Sequence, residues 1–69
     1  MSLVSVRYLL VTLRDNEEDH RLLDSDPLRR GDEFRTKHRG ATETVRVEAV
    51  EPSDIDGIDA RLSARVIEQ

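Results

Sequence analysis

The sequence predicts a mainly β protein, a small antiparallel β-barrel or half-barrel of four to five strands, SH3-like or related. Three observations carry that prediction. Apolar and polar residues alternate over residues 42–51 and 60–68, the period of a half-buried strand. Residues 4–14 are rich in Val, Leu, Tyr and Thr. Gly- and Asp-bearing turn segments, at residues 28–32, 38–41 and 52–59, bound these runs.

Residues 4–14 read as a long first strand whose apolar parity changes midway. Val4, Val6 and Tyr8 share one face, then Leu9, Val11 and Leu13 the other. Such a change predicts a bulge or bend that lets one strand serve two sheets. Residues 15–26 read as an acidic connector, NEEDHRLLDSD at its centre, with Leu22 and Leu23 its apolar pair. Asp15 or Asn16 is placed to cap one short helical turn, ended by Pro27. Leu28-Arg29-Arg30-Gly31-Asp32 is a turn into a second strand, residues 33–37, anchored by Phe34.

His38-Arg39-Gly40-Ala41 carries the glycine of a hairpin turn. Over residues 42–51, Val45, Val47 and Ala49 point inward and Thr44, Arg46 and Glu48 outward. PSDIDGID is a turn or one 3₁₀ turn with Ile55 and Ile58 tucked under. In the last strand Ala60, Leu62, Ala64 and Val66 face in, while Arg61, Ser63 and Arg65 face out. The expected inward set is Val6, Leu9, Leu10, Val11, Leu13, Leu28, Phe34, Val45, Val47, Ala49, Ile58, Leu62, Ala64 and Val66. That set fills a core and leaves no wall for a small-molecule pocket.

The bulk numbers narrow the function classes. A chain of 69 residues with 36% hydrophobic content holds one domain, residues 1–69, with one modest core. Met1-Ser2-Leu3 reads as an expression-vector remnant. Cores of this size supply roughly 3–5 kcal/mol, so disulfides, a metal or a partner commonly reinforce them. Cysteine is absent, which excludes disulfides and thiolate metal sites and fits a cytoplasmic protein. No stretch has the length of a membrane span. A homo-oligomer is therefore the expected reinforcement, through strand edges and outward apolar residues such as Val50 and Ile67.

Charge is the most unusual feature. Charged residues make up 38% of the chain, with Asp+Glu 15 against Lys+Arg 11 and a net charge of −4. Lys37 is the single lysine. Excess carboxylate with little lysine is the pattern of halophilic surfaces, which stay soluble where salt screens charges to about 3 Å. The alternative is a GC-rich genome, which favours Arg, Asp and Ala codons, although codon bias alone does not explain the acidic excess.

Within eleven residues, Arg29, Arg30, Arg35, Lys37 and Arg39 face only Asp32 and Glu33, giving that segment +3. With His38 they form a candidate nucleic-acid site, because arginine's planar fork grips phosphate oxygens in pairs. The segment lacks aromatics for base stacking, and ion pairing with the acidic connector is the ordinary alternative. Arg7, Arg46, Arg61 and Arg65 form a second cationic row, for which cross-strand pairs with Glu43 and Glu48 are the ordinary reading.

Other motifs carry less. Asp54-x-Asp56-Gly57-x-Asp59 has carboxylates around a glycine, but EF-hand spacing and a bidentate Glu are missing, and turn chemistry suffices. His20 and Asp24 would share a helical face yet have no third ligand, so no metal and no other cofactor is expected. Arg30-Gly31-Asp32 is a chance tripeptide in a chain without a secretion signal. Neither histidine has a defined nucleophile or acid partner, and the expectation is a protein that is not an enzyme.

Leu28-x-x-Gly31-Asp32-x-Phe34 followed by Val45-x-Val47-x-x-Val50 resembles a hairpin of PUA-like ASCH domains and one in the barrel domain of translation GTPases. The resemblance covers about a third of the chain, without the functional residues of either family or the ASCH glycine-lysine segment. It implies a small barrel and a link to RNA or the ribosome. As a whole the chain resembles small uncharacterised β-barrel proteins of halophilic archaea. The leading expectation is a non-enzymatic, self-associating interaction module, and the rival is an RNA- or ribosome-associated barrel.

Overall fold

The computed structural model describes residues 5–67. The vector-remnant reading of Met1-Ser2-Leu3, the strand start at Val4 and the strand end at Glu68 lie outside that range. Five strands form one curled sheet: β1 Val6–Arg14, β2 Glu17–Ser25, β3 Glu33–His38, β4 Ala41–Pro52 and β5 Ala60–Val66. Their order across the sheet is β2-β1-β5-β4-β3. Three of the four pairings are antiparallel, as expected. The fourth is parallel: β1 runs alongside β5, with Leu10 opposite Leu62 and Thr12 opposite Ala64.

The concave side of this half-barrel holds the core: Tyr8, Leu10, Val45, Val47, Leu62, Ala64 and Val66, closed at its margins by Val6, Leu23, Leu28, Phe34 and Ala60. Tyr8 belongs here although the expected inward set omitted it. Its hydroxyl accepts the Leu28 amide proton at 2.9 Å, which satisfies the phenol and holds residues 26–32 across one end of the barrel.

The acidic connector is a strand, and no helix occurs among the described residues. The chain reverses through Asp15 (φ 51°) and Asn16, and β2 then pairs with β1 from Arg14↔Glu17 to Val6↔Ser25. The two-residue reversal and nine residues of ladder outweigh the helix-capping signal of Asp15. The second hairpin turns at Arg39 (φ 51°) and Gly40 (φ 90°), where both central residues need the left-handed region.

The parity change in β1 has a different origin from the one expected. Its register against β2 and β5 is unbroken. Val6, Tyr8, Leu10 and Thr12 face the core, while Leu9, Val11 and Leu13 form an apolar stripe on the convex side. Leu9, Val11 and Leu13 therefore leave the expected inward set. The bulge lies in β4 instead, between Val47 and Ala49. The extra residue, Glu48, resets the alternation, so Ala49 pairs with Ser63 on the convex side and Val50 with Leu62 on the concave side. Val50, expected outward, is on the core side at the rim, 40% exposed. Ile55 is not tucked under but 54% exposed, whereas Ile58 is half-buried.

Candidate interaction surface

Three regions hold the residues that could carry function: the seam where the sheet's two edges approach, the basic segment, and the convex apolar stripe. At the seam, β3 ends against β1 and β2. His38 is 3% exposed, and its Nδ1 lies 2.7 Å from Thr12 Oγ1, a hydrogen bond whose direction follows the imidazole tautomer. His38 Nε2 is buried with no partner among the described residues. A buried imidazole tied to a core threonine cannot reach a phosphate, so His38 drops out of the nucleic-acid set. Phe34, Thr36 and His38 alternate inward along β3, and that period-two pattern was the signal for its burial.

Asp19 latches the seam from β2. Its carboxylate accepts the Arg39 amide proton at 2.8 Å and the His20 amide proton at 3.0 Å. The Arg39 amide chiefly holds its pKa below the usual aspartate value, with His20, Arg21 and His38 adding to the effect against partial desolvation. The Arg39 side chain pairs with Glu17 at 2.9 Å. Arg14 and Glu43 pair at 3.0 Å nearby, both partly buried.

A carboxyl group with a folded-state pKa below its unfolded value adds stability that is complete above the unfolded pKa and disappears as pH falls through the folded one. Asp19→Asn should therefore lower stability near neutral pH. The parent and variant curves should converge below about pH 4, the ordinary aspartate range. Urea midpoints measured from neutral to acid pH check this, and parallel curves would refute it.

The basic segment divides in two. Arg39 is engaged by Glu17 and Asp19, so the ordinary ion-pair reading holds for it. Arg29, Arg30, Arg35 and Lys37 are exposed, and no carboxylate lies within ion-pair distance of any of them among the described residues. Arg29 and Arg30 lie in a tight turn in which Asp32 accepts the Arg29 amide proton at 2.8 Å. The turn aligns with β4, since the Gly31 amide reaches the Val47 carbonyl at 2.9 Å. Arg35 and Lys37 project from the outer side of β3, an edge strand.

On the convex face the second cationic row is largely neutralised. Arg7 pairs with Asp24, Arg46 with Glu33, and Arg65 with Glu48, at 2.9–3.1 Å. The Asp24 carboxyl group is held below its usual range by the Arg7 guanidinium. Glu43, expected in this row, is instead on the concave side with Arg14. Arg61 has no such partner among the described residues.

Between the charges runs the stripe. Leu9, Val11 and Leu13 line β1, with Leu22 of β2 directly opposite Leu9. Leu22 is 62% exposed, while Val11, in the middle, is 4% exposed. Ile55 lies by Leu9 in a shallow open depression that also includes Pro52 and Arg61. Ile67, named beforehand as an interface residue, is half-buried and borders a second depression with Arg46, Glu48 and Arg65.

Turn chemistry explains the remaining sequence candidates. Asp59 accepts the Arg7 amide proton at 2.9 Å, and Gly57 takes φ 85°. His20 and Asp24 lie four residues apart along a strand, about 13 Å, too far to share one ion. No cluster of three potential metal ligands occurs among the described residues, nor any helix long and apolar enough to cross a membrane. No protein family, characterised protein or solved structure matches the chain.

Proposed function

We propose that this protein is a non-enzymatic cytoplasmic interaction module that self-associates through the convex face of β1 and β2. One observation carries the reading: outside the concave core, Leu22 (62% exposed) and Ile55 (54% exposed) flank the half-buried Leu9 on the convex side. Soluble monomers keep isolated apolar residues on their surfaces, whereas adjoining exposed ones are the mark of a contact. The small core and the absence of disulfides supply the energetic reason for a partner.

Leu22→Glu should shift the protein to monomer in size-exclusion chromatography with light scattering, with the far-ultraviolet spectrum unchanged. A clean parent monomer at high concentration would refute the reading. The carboxylate excess and single lysine support a salt-rich cytoplasm as the setting. The same series run from dilute buffer to molar KCl tests that, because a halophilic protein loses structure when salt is withdrawn.

A second reading has its own support: four exposed cations without carboxylate partners among the described residues. Arg29, Arg30, Arg35 and Lys37 would bind the phosphates of RNA or the ribosome, a role in keeping with the hairpin resemblance. Affinity for short single-stranded RNA should then fall steeply with salt, and Arg35→Ala with Lys37→Ala should reduce the slope by about two. Folded protein that binds no RNA at low salt would exclude it.

A further inference from the structure

We propose that β3 is a docking edge that takes an extended acidic peptide as a further strand of the sheet, its carboxylates set on Arg35 and Lys37. The inference goes beyond association through the convex face and does not depend on it. The backbone provides the first half of the argument. β2 and β3 are the two ends of the sheet order, and no backbone pairing joins them among the described residues. Phe34, Thr36 and His38 lie opposite Val45, Glu43 and Ala41. The Val47 amide donates to the Asp32 carbonyl at 2.8 Å, which fixes the even-numbered residues as those bonded to β4. The amides and carbonyls of Glu33, Arg35 and Lys37 therefore point away from β4, into the place of a further strand.

The side chains follow the same period. Those of Glu33, Arg35 and Lys37 stand exposed on the convex side. Across the ladder, Glu33 faces Arg46 of β4 and is paired with it at 3.0 Å. Arg35 faces Thr44 and Lys37 faces Thr42, neither of which carries charge. β4 thus neutralises the anion of this edge and leaves both cations without a carboxylate. A strand laid against the open side places its own residues directly opposite Arg35 and Lys37, on the same face.

Two carboxylates two residues apart, about 7 Å along an extended chain, meet both cations at once. A second copy's β2 does not supply that spacing, since its convex carboxylates, Glu18 and Asp24, are about 20 Å apart. Phosphate fits this edge less well than peptide. The outward carbonyls repel its oxygens, and Phe34, the aromatic residue of β3, is turned to the core side.

Charged residues also guard exposed edges against aggregation, a role that requires no ligand. A capped hexapeptide alternating valine with glutamate separates the two. Its addition to the folded protein should slow hydrogen exchange at the amides of Glu33, Arg35 and Lys37. The Thr36 and His38 amides, already bonded to β4, should change little. N-methylation of the peptide's glutamates should weaken binding about tenfold, because those amides bond to β3, whereas N-methylation of its valines should not. Arg35→Glu with Lys37→Glu should reject the glutamate peptide and take one with lysine in its place.

Equal binding of the two N-methylated peptides would overturn strand addition and leave only charge attraction. No peptide binding by the parent at low salt would reduce Arg35 and Lys37 to guards of the edge. Single-stranded RNA bound by a protein that ignores the peptide would assign these cations to phosphate, and would equally overturn the proposal.

Discussion

Leu10→Ala is expected to leave the domain largely unfolded at room temperature. Leu10 is fully buried at the centre of the concave core, where it shares a layer with Leu62 across the parallel pairing. Truncating such a leucine costs about 2–5 kcal/mol through lost transfer energy and the cavity left behind. A single core of this size supplies about 3–5 kcal/mol in total, so little remains. The informative control is the next residue along. Leu9→Ala removes the same atoms from the convex face and should cost about 1 kcal/mol or less at dilutions where association contributes nothing. Urea titrations followed by circular dichroism compare the two. Equal losses would mean that the faces of β1 have been assigned the wrong way round.

The second large effect is expected at the seam. Thr12 is 1% exposed, and its hydroxyl is the hydrogen-bond partner of the buried His38 ring. Thr12→Val keeps the shape and deletes the hydroxyl, leaving both imidazole nitrogens buried without partners. Stranding one buried polar group costs about 1–3 kcal/mol. Thr12→Ser keeps the hydroxyl and should recover much of that loss, apart from the missing methyl. If valine and serine behave alike in denaturation, the Thr12–His38 contact contributes little.

Four of the five strands were legible because Val, Leu and Ala recur at every second position in residues 4–14, 42–51 and 60–68, and Phe34 anchors the fourth. β2 was hidden. Glu17-Glu18-Asp19-His20 has no β-branched residue, and the Asp and Glu run suggests a helix start. The ladder with β1 makes it a strand, a tertiary effect that local composition does not report. The pair Asp15-Asn16, directly after a strand, was the available hairpin signal.

Alternation also says nothing about strand direction, so the parallel β1–β5 pairing was not visible. Nor could it separate a strand that changes faces from one apolar on both, and Leu9, Val11 and Leu13 were misplaced for that reason. The bulge at Glu48 has no local signature, which is why Ala49 and Val50 exchanged sides. Of the candidate site, Arg29 and Arg30 lie exposed in a turn and Arg35 and Lys37 on the outer side of an edge strand, a position that the sheet order sets and local sequence does not report. Arg39 and His38 are taken up by residues distant in sequence, Glu17, Asp19 and Thr12.

The parallel pairing of the first and last strands bears on how the chain reaches its native state. The β1–β2 and β3–β4 hairpins can each close locally as they leave the ribosome, but a lone two-stranded ribbon is at best marginal in water. Both must wait for β5, which joins them by inserting between β1 and β4. Until Leu62 and Ala64 arrive, Leu10 and Val47 have no wall to pack on. Maturation is therefore a late, concerted event limited by closure of nearly the whole chain, slow for a molecule of this length.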